Sequence, residues 1–174
     1  MNPDDHLAEV AGNHPPCGSD LEYDPAFQAL EVAARGTPDQ QYGAIKIPAA
    51  KPDWRAVEKK ADALLRRSKD LRVALLLTRA LTQTNGLPGL CDGLTVFVGL
   101  LKRYWDDVHP RLDIDGESDP QVRLNAIAAL AAPSGLVADL RSAPLVASLF
   151  GPVEVRAAEE SIDGRASAQS GPGL

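Results

Sequence analysis

From Lys69 to about Thr84 the chain is apolar almost all round, with Leu71, Val73, Ala74, Leu75, Leu76, Leu77, Ala80 and Leu81 broken by Arg72 and Arg79 seven residues apart. A helix of that kind is not stable with one face in water, so the pattern predicts a central helix touched on several sides. The flanking segments supply the neighbours. Before it, Trp54, Val57, Ala61, Leu64 and Leu65 recur at helical spacing opposite Arg55, Glu58, Lys59, Asp62 and Arg66, which reads as an amphipathic outer helix. After it, Asn85-Gly86 stops the helix. Leu87, Leu90, Leu94, Phe97, Leu101 and Tyr104 then repeat at intervals of three and four through a fourth helix from Leu87 to about Asp107. Gly89, Gly93 and Gly99 each weaken that helix by about 1 kcal/mol relative to Ala, and close contact with a neighbouring helix would explain them.

The remaining elements follow from caps and breakers. Asp24-Pro25 starts a helix, because the Asp carboxylate can accept from a free first-turn amide and Pro fits the first helical position. Phe27, Leu30 and Ala34 share one face of it, and Gly36 can close it with a positive φ. Thr37 to Lys51 contains Pro38, Gly43 and Pro48 without periodicity and is expected to be a long surface loop. Asp119-Pro120 repeats the earlier start after an acidic loop at 113–118. A fifth helix is expected with Val122, Ile127, Leu130 and Ala131 as its apolar part, and a sixth, capped by Ser134, with Leu136, Val137 and Leu140. Beyond Pro144, residues such as Leu145, Val146, Val153 and Val155 read as an irregular cover strand or a brief hairpin. A short helical turn is expected within 1–15, and Gly164 to Leu174 reads as a linker or disordered tail. The fold class is therefore all-α: a single bundle of about six helices, with an N-terminal extension at 1–15, a helical domain at 16–150 and a cover segment with a flexible tail at 151–174.

Bulk properties narrow the function classes. A formal charge of -6 with scattered basic residues argues against duplex nucleic-acid binding. No apolar run reaches the roughly 18 to 20 residues that cross a bilayer, and Met1-Asn2-Pro3-Asp4-Asp5-His6 lacks the features of a secretory signal. Cys17 and Cys91 stand far apart, so a reducing cytoplasm is the simpler setting.

His6, His14 and His109 are isolated and no His-Glu-x-x-His occurs, so no metal site is indicated. The acidic loop fails as a calcium loop, having Ser118 at the sixth position and Leu124 at the twelfth. Phosphate-binding glycine loops are absent, and no cofactor is implied. Cys17, in a Pro-Cys-Gly turn, is read as a packed thiol, because a nucleophile needs a positioned base and a lowered pKa. Asp20 is assigned to turn amides and Asp24 to its helix cap. Internal pairing of Arg72 or Arg123 with Asp20, Asp70 or Asp106 is expected to staple loops to the bundle. Tyr104-Trp105-Asp106 before His109-Pro110 reads either as an aromatic helix end against the core or, if Trp105 is exposed, as an interface anchor.

Three stretches carry a family resemblance: Pro16-Cys17-Gly18-Ser19-Asp20-Leu21-Glu22-Tyr23-Asp24-Pro25-Ala26-Phe27, Ser68-Lys69-Asp70-Leu71-Arg72-Val73, and Tyr104-Trp105-Asp106-Asp107-Val108-His109-Pro110. Together with Pro52-Asp53-Trp54-Arg55, Gly86-Leu87-Pro88-Gly89-Leu90 and Arg123-Leu124-Asn125-Ala126, in this order, they resemble the ImpA N-terminal domain of the type VI secretion protein TssA, from about Pro16 to Leu145. Many relatives carry Glu where Ser19 stands, so no charge-dependent role transfers to that position. The resemblance implies a cytoplasmic, non-enzymatic scaffold that helps assemble the baseplate, tube and sheath of a contractile injection machine. It also implies a piece of a longer protein whose C-terminal region forms large rings, with self-association of this domain as a homodimer. It supplies no active site. The residues singled out as structural or interface candidates are Cys17, Asp20, Asp24, Trp54, Asp70, Arg72, Tyr104, Trp105, Asp106, His109 and Arg123. The alternatives are the same module in an accessory secretion protein, a small-molecule-binding helical domain, and a thiol-dependent enzyme.

Overall fold

The computed structural model describes residues 2–10, 12, 16–37, 40–42, 45–114, 117–148 and 151–162. The order of elements is α1 (Asp4–Leu7), α2 (Pro25–Arg35), β1 (Gln40–Tyr42), β2 (Ile45–Ile47), α3 (Trp54–Leu65), α4 (Leu71–Arg103), β3 (Asp113–Ile114), β4 (Glu117–Ser118), α5 (Gln121–Ala128), a 3-10 turn (Ala129–Ala131), α6 (Leu136–Ser142), β5 (Pro144–Ser148), β6 (Gly151–Glu154) and α7 (Val155–Ile162). The molecule is mostly helical.

The core is α4, and α4 is a hairpin. Along a straight helix Thr78 and Gly93 would stand about 22 Å apart, yet a Cβ built on Gly93 would lie 2.6 Å from the Thr78 Cα. The chain doubles back at Gly86, whose φ of 65° and ψ of -144° are not helical. The expected stop at Asn85-Gly86 is therefore real, and two antiparallel arms follow with almost no connecting loop. The glycines are explained as close contacts. Gly89 approaches the Leu81 carbonyl and Gly93 the Thr78 backbone, while Gly99 faces the Leu7 side chain of α1. Leu71, Val73, Ala74, Leu77, Ala80 and Leu81 of the first arm are buried, as are Val96, Phe97 and Leu100 of the second.

The neighbours close around this hairpin. Asp53 caps α3 by accepting from the Arg55 and Ala56 amides at 3.1 and 3.2 Å, and Val57, Ala61, Leu64 and Leu65 are buried on the side facing α4. Asp24 caps α2 through the Ala26 amide at 2.7 Å; Phe27, Leu30 and Ala34 are buried, and Gly36 ends the helix at φ 66°. Each large apolar side chain buried in this way contributes roughly 1.5 to 3 kcal/mol. On another side of α4, α6 is fixed through Asp139, whose carboxylate accepts from Arg79 Nε at 2.6 Å and Gln83 Nε2 at 2.9 Å.

Several expectations need correction. The fold is all-α only roughly: it is mostly helical, and among the described residues three two-stranded antiparallel ladders decorate it. β1–β2 occupies the segment read as a loop at 37–51, with Gln41 opposite Lys46, and β3–β4 occupies the acidic loop. Strands of two or three residues are too short to display a period of two. The hairpin reading after Pro144 is correct, in β5–β6. α7 was not anticipated; its Arg141–Glu159 ion pair of 3.2 Å ties it to α6. In α5 the buried residues are Arg123 and Ala126, whereas Val122 is 38% exposed and Ala131 of the following turn is also exposed. Ser134 does not cap α6, which begins after Gly135 without a side-chain cap. The fourth helix ends at Arg103 instead of Asp107. The 163–174 tail and His14 lie outside the described residues.

Candidate functional site

The three stretches that stand out in the sequence meet at one place, the N-terminal end of α4. Gly18 bridges Ser68 and Asp70 bridges His109. The backbone completes the junction: Lys69 donates to the Cys17 carbonyl at 2.7 Å, His109 to the Lys69 carbonyl at 2.9 Å, and Leu71 to the His109 carbonyl at 2.8 Å. Ser68 Oγ donates to the Ser19 carbonyl at 2.6 Å. Segments about 40 to 50 residues apart in sequence are thus joined like strands although none of them is one.

Side chains reinforce this junction. Asp70, fully buried, caps α4 by accepting from the Arg72 amide at 2.8 Å and binds the Arg72 guanidinium through both oxygens, with Nη2–Oδ2 at 2.7 Å. The same guanidinium reaches Asp20 at 3.1 Å and lies over the Phe27 ring at 4.8 Å, linking the junction to α2. Asp20 also accepts from the Glu22 amide at 2.9 Å. Burial opposes its charge, but that amide together with His109 and Arg72 holds its carboxyl below the usual carboxylate range. His109 is buried, with Nε2 at 3.1 Å from the Gly18 carbonyl and Nδ1 at 3.5 Å from Asp20 Oδ2. A carbonyl can only accept, so Nε2 carries the hydrogen. Asp24, besides its cap, pairs with Arg67 at 2.5 Å.

Arg123 is a second hub. It is 1% exposed, and it donates to the carbonyls of Trp105, Val108 and Pro110, the last at 2.8 Å. The expected pairing with Asp20 and Asp70 is made by Arg72 and not by Arg123, and Asp106 is exposed at the surface. The five N–H donors of one guanidinium let Arg123 serve three carbonyls of one turn at once. Burial pulls its pKa below the ordinary value, with Asp106 opposing. Tyr104 is buried and donates its hydroxyl to the Leu7 carbonyl at 2.7 Å, whereas Trp105 is 47% exposed with Arg123 stacked 5.2 Å from its ring. Trp54 is half-buried beneath Arg79, whose guanidinium lies 5.2 Å from its ring. Trp54 therefore belongs to a separate α3–α4–α6 contact and not to the junction.

The arrangement offers little for catalysis. Cys17 is completely buried, and burial pushes its thiol up to about 11, with Asp107 adding to the effect and Lys69, Arg111 and Arg123 opposing it. A thiol held protonated is a poor nucleophile. Among the described residues no group of three or more His, Cys, Asp or Glu side chains is placed to hold a metal ion, and no helix is long and apolar enough to cross a membrane. Sequence reading passed over Lys69, 1% exposed with Nζ on the Leu65 carbonyl at 2.9 Å, and Asp139. The signal for Asp139 was present, a carboxylate three residues after Leu136 on the apolar side of a short helix.

Fold and junction together define a class: a mostly helical module built on a glycine-hinged hairpin, whose charged residues are spent on tying distant loops to one helix end. The chain belongs to the family described as ImpA, N-terminal, type VI secretion system, which matches residues 7–132. It is 49% identical over 153 residues to the type VI secretion system component TssA1 of Pseudomonas aeruginosa, a match covering 87% of this chain and 44% of that protein. The chain thus spans under half the length of that relative. Among solved structures it is similar to the N-terminal domain, including the conserved ImpA_N region, of the TssA component from Burkholderia cenocepacia. That likeness has a TM-score of 0.68 and 28% identity, and covers 99% of this chain and 67% of the other.

Proposed function

We propose that this chain is a non-enzymatic assembly module of the type VI secretion system, acting in the cytoplasm through protein–protein contacts with baseplate, tube or sheath subunits. The observation that carries the reading is how the polar groups are used. Cys17, Asp20, Asp70, Arg72, His109 and Arg123 are occupied in holding the fold, whereas Trp105, a residue type that often dominates interfaces, stands half exposed. Membership of the family and the likeness to TssA1, itself a component of the system, support it. In this reading residues 16–150 form the module, self-association as a homodimer runs through it, and larger rings belong to the part of the longer relatives that this chain does not span. The test is titration of purified baseplate, tube and sheath subunits onto the immobilised chain. Binding by at least one, weakened tenfold or more by Trp105→Ala, is expected. Failure of all three to bind would overturn the assembly reading.

A further inference from the structure

We propose that the cleft between the end of α2 and the entry to α3 is a docking groove for an extended acidic segment of a partner protein, one that carries an apolar anchor residue. The inference deepens the assembly reading and rests on it, since it assigns a contact to one face.

The cleft is shaped by backbone. Gly36, at φ 66°, turns the chain out of α2, and Thr37 and Ala50 exchange both backbone hydrogen bonds at 2.9 Å each, which clamps the base of β1–β2. A Cβ on Gly36 would stand 2.5 Å from the Ala50 carbonyl oxygen, so this approach requires glycine. Between these walls lies an open cleft of about 750 Å³. That size falls within the range of ligand clefts.

The lining sets the chemistry of the occupant. Val32, Ala49, Ala50 and Pro52 give an apolar surface, and Val32 on α2 is 65% exposed. Among the described residues the charged ones that line the cleft, Arg35 and Lys51, are both cationic, in a chain whose net charge is -6. Local sign therefore opposes overall sign, which attracts an acidic segment to this place and repels it elsewhere. Arg35 makes a long ion pair with Glu31 one turn earlier, at 3.9 Å, and its side chain stays 74% exposed, so the pair is weak and solvent-screened. None of the lining side chains is a buried polar group of the kind that orients a small molecule, so an extended chain, held by an apolar anchor and flanking charges, fits better.

The probe is a display library of random twelve-residue peptides panned on the 174-residue chain. Enrichment of sequences combining Asp or Glu with an apolar residue is expected. The best synthetic peptide should bind at least tenfold more weakly to the Arg35→Glu/Lys51→Glu double variant and to Val32→Glu, and several-fold more weakly when salt is raised from low to physiological strength. Melting temperature should be unchanged, because all three side chains are exposed. Acidic peptides that fail to enrich, or that bind the double variant equally well, overturn the groove. So does a chain that is dimeric by light scattering and becomes monomeric with Val32→Glu, since a second copy would then be the occupant. The two readings separate in the subunit titration. A secretion subunit that binds the double variant undiminished removes the groove and leaves the assembly reading standing; acidic peptides that bind while all subunits fail leave the groove and remove the assembly reading.

Discussion

The junction at the start of α4 and the cleft beside α2 are built from the same residue types and differ in access to water. Arg123 is 1% exposed and faces three carbonyls, whereas Arg35 is 74% exposed and faces solvent with a distant Glu31. A buried charge without partners costs several kcal/mol, so burial drives the charges of Asp70, Arg72 and Arg123 into hydrogen bonds. An exposed charge costs almost nothing to leave open. The ordered motifs of this chain report largely on how it holds together, with the exposed Trp105 ring as their interface candidate. Arg35 and Lys51 lie within the matched family region but outside the motif stretches.

The sharpest way to break this comparison is Arg123→Met. It leaves the Trp105, Val108 and Pro110 carbonyls without their Arg123 donor, the last two in buried hydrogen bonds. Each orphaned buried acceptor costs about 1 to 3 kcal/mol, so a loss on the order of 3 kcal/mol or more is expected from urea unfolding. Arg123→Lys should recover only a minor part, because a point charge cannot serve three carbonyls as a planar fork does. If Arg123→Met costs less than about 1 kcal/mol, the junction is not the hub its geometry indicates.

The hairpin offers a second, smaller contrast. Gly93→Ala puts a methyl 2.6 Å from backbone, at the Thr78 Cα, so the arms of α4 must separate; about 2 kcal/mol is expected, in the range for overpacked cores. Gly99→Ala meets only the movable Leu7 side chain at 2.7 Å, and should cost under about 1 kcal/mol, partly offset by better helix propensity. Equal costs in thermal melts would show that the arms are not in firm contact.

These glycines also show how much of the fold was legible. The apolar run at 71–81, the Asp24-Pro25 start and the Asn85-Gly86 stop were readable because propensity, capping and burial agree there. The close approach at Gly89 and Gly93 was only a conjecture, since sequence gives a glycine no partner. Which arginine meets the carboxylates was left open for a similar reason: a cation suggests a carboxylate, and backbone carbonyls such as those Arg123 binds are invisible in a sequence of side chains. β1–β2 and β3–β4 were missed because strands of two or three residues carry too few positions to show a period, and α7 falls in the segment read as a cover strand and tail. For the site, Arg72 with Asp20 and Asp70 was within reach of charge logic, whereas the cleft depends on a Gly36 turn and a Thr37–Ala50 pairing that no local pattern announces.

Titration separates the two regions further. Cys17 has its pKa raised from 9.0 to about 11, chiefly by burial, so the folded state favours the thiol. That contribution is complete below pH 9 and is lost as pH rises through 11. By pH 10 the wild type should lose on the order of 1 kcal/mol more than Cys17→Ala. His6 acts at the other end. Burial lowers its pKa below 6.5 despite Asp62 at 3.3 Å, so its contribution is present above pH 6.5 and declines as pH falls through the depressed value. His6→Gln should flatten that acid limb. The cleft residues should leave both limbs unchanged, and an alkaline slope that persists in Cys17→Ala would assign it to other groups.

Trp105 sits at the boundary of the comparison and gives the smallest expected effect on the fold. Its carbonyl belongs to the junction, because Arg123 donates to it, but its ring is 47% exposed. Trp105→Ala keeps the carbonyl and removes only the ring, so the loss is one cation–π contact with Arg123 at 5.2 Å and some covered area. At a partly exposed site this amounts to about 0.5 to 1 kcal/mol, a shift of a few degrees in melting temperature. The same substitution should weaken subunit binding at least tenfold, giving a ratio of binding loss to stability loss that no junction residue can match. A stability cost near that of Arg123→Met would move Trp105 to the structural side, because the ring would then be sealing the Arg123 hub from water and not waiting for a partner.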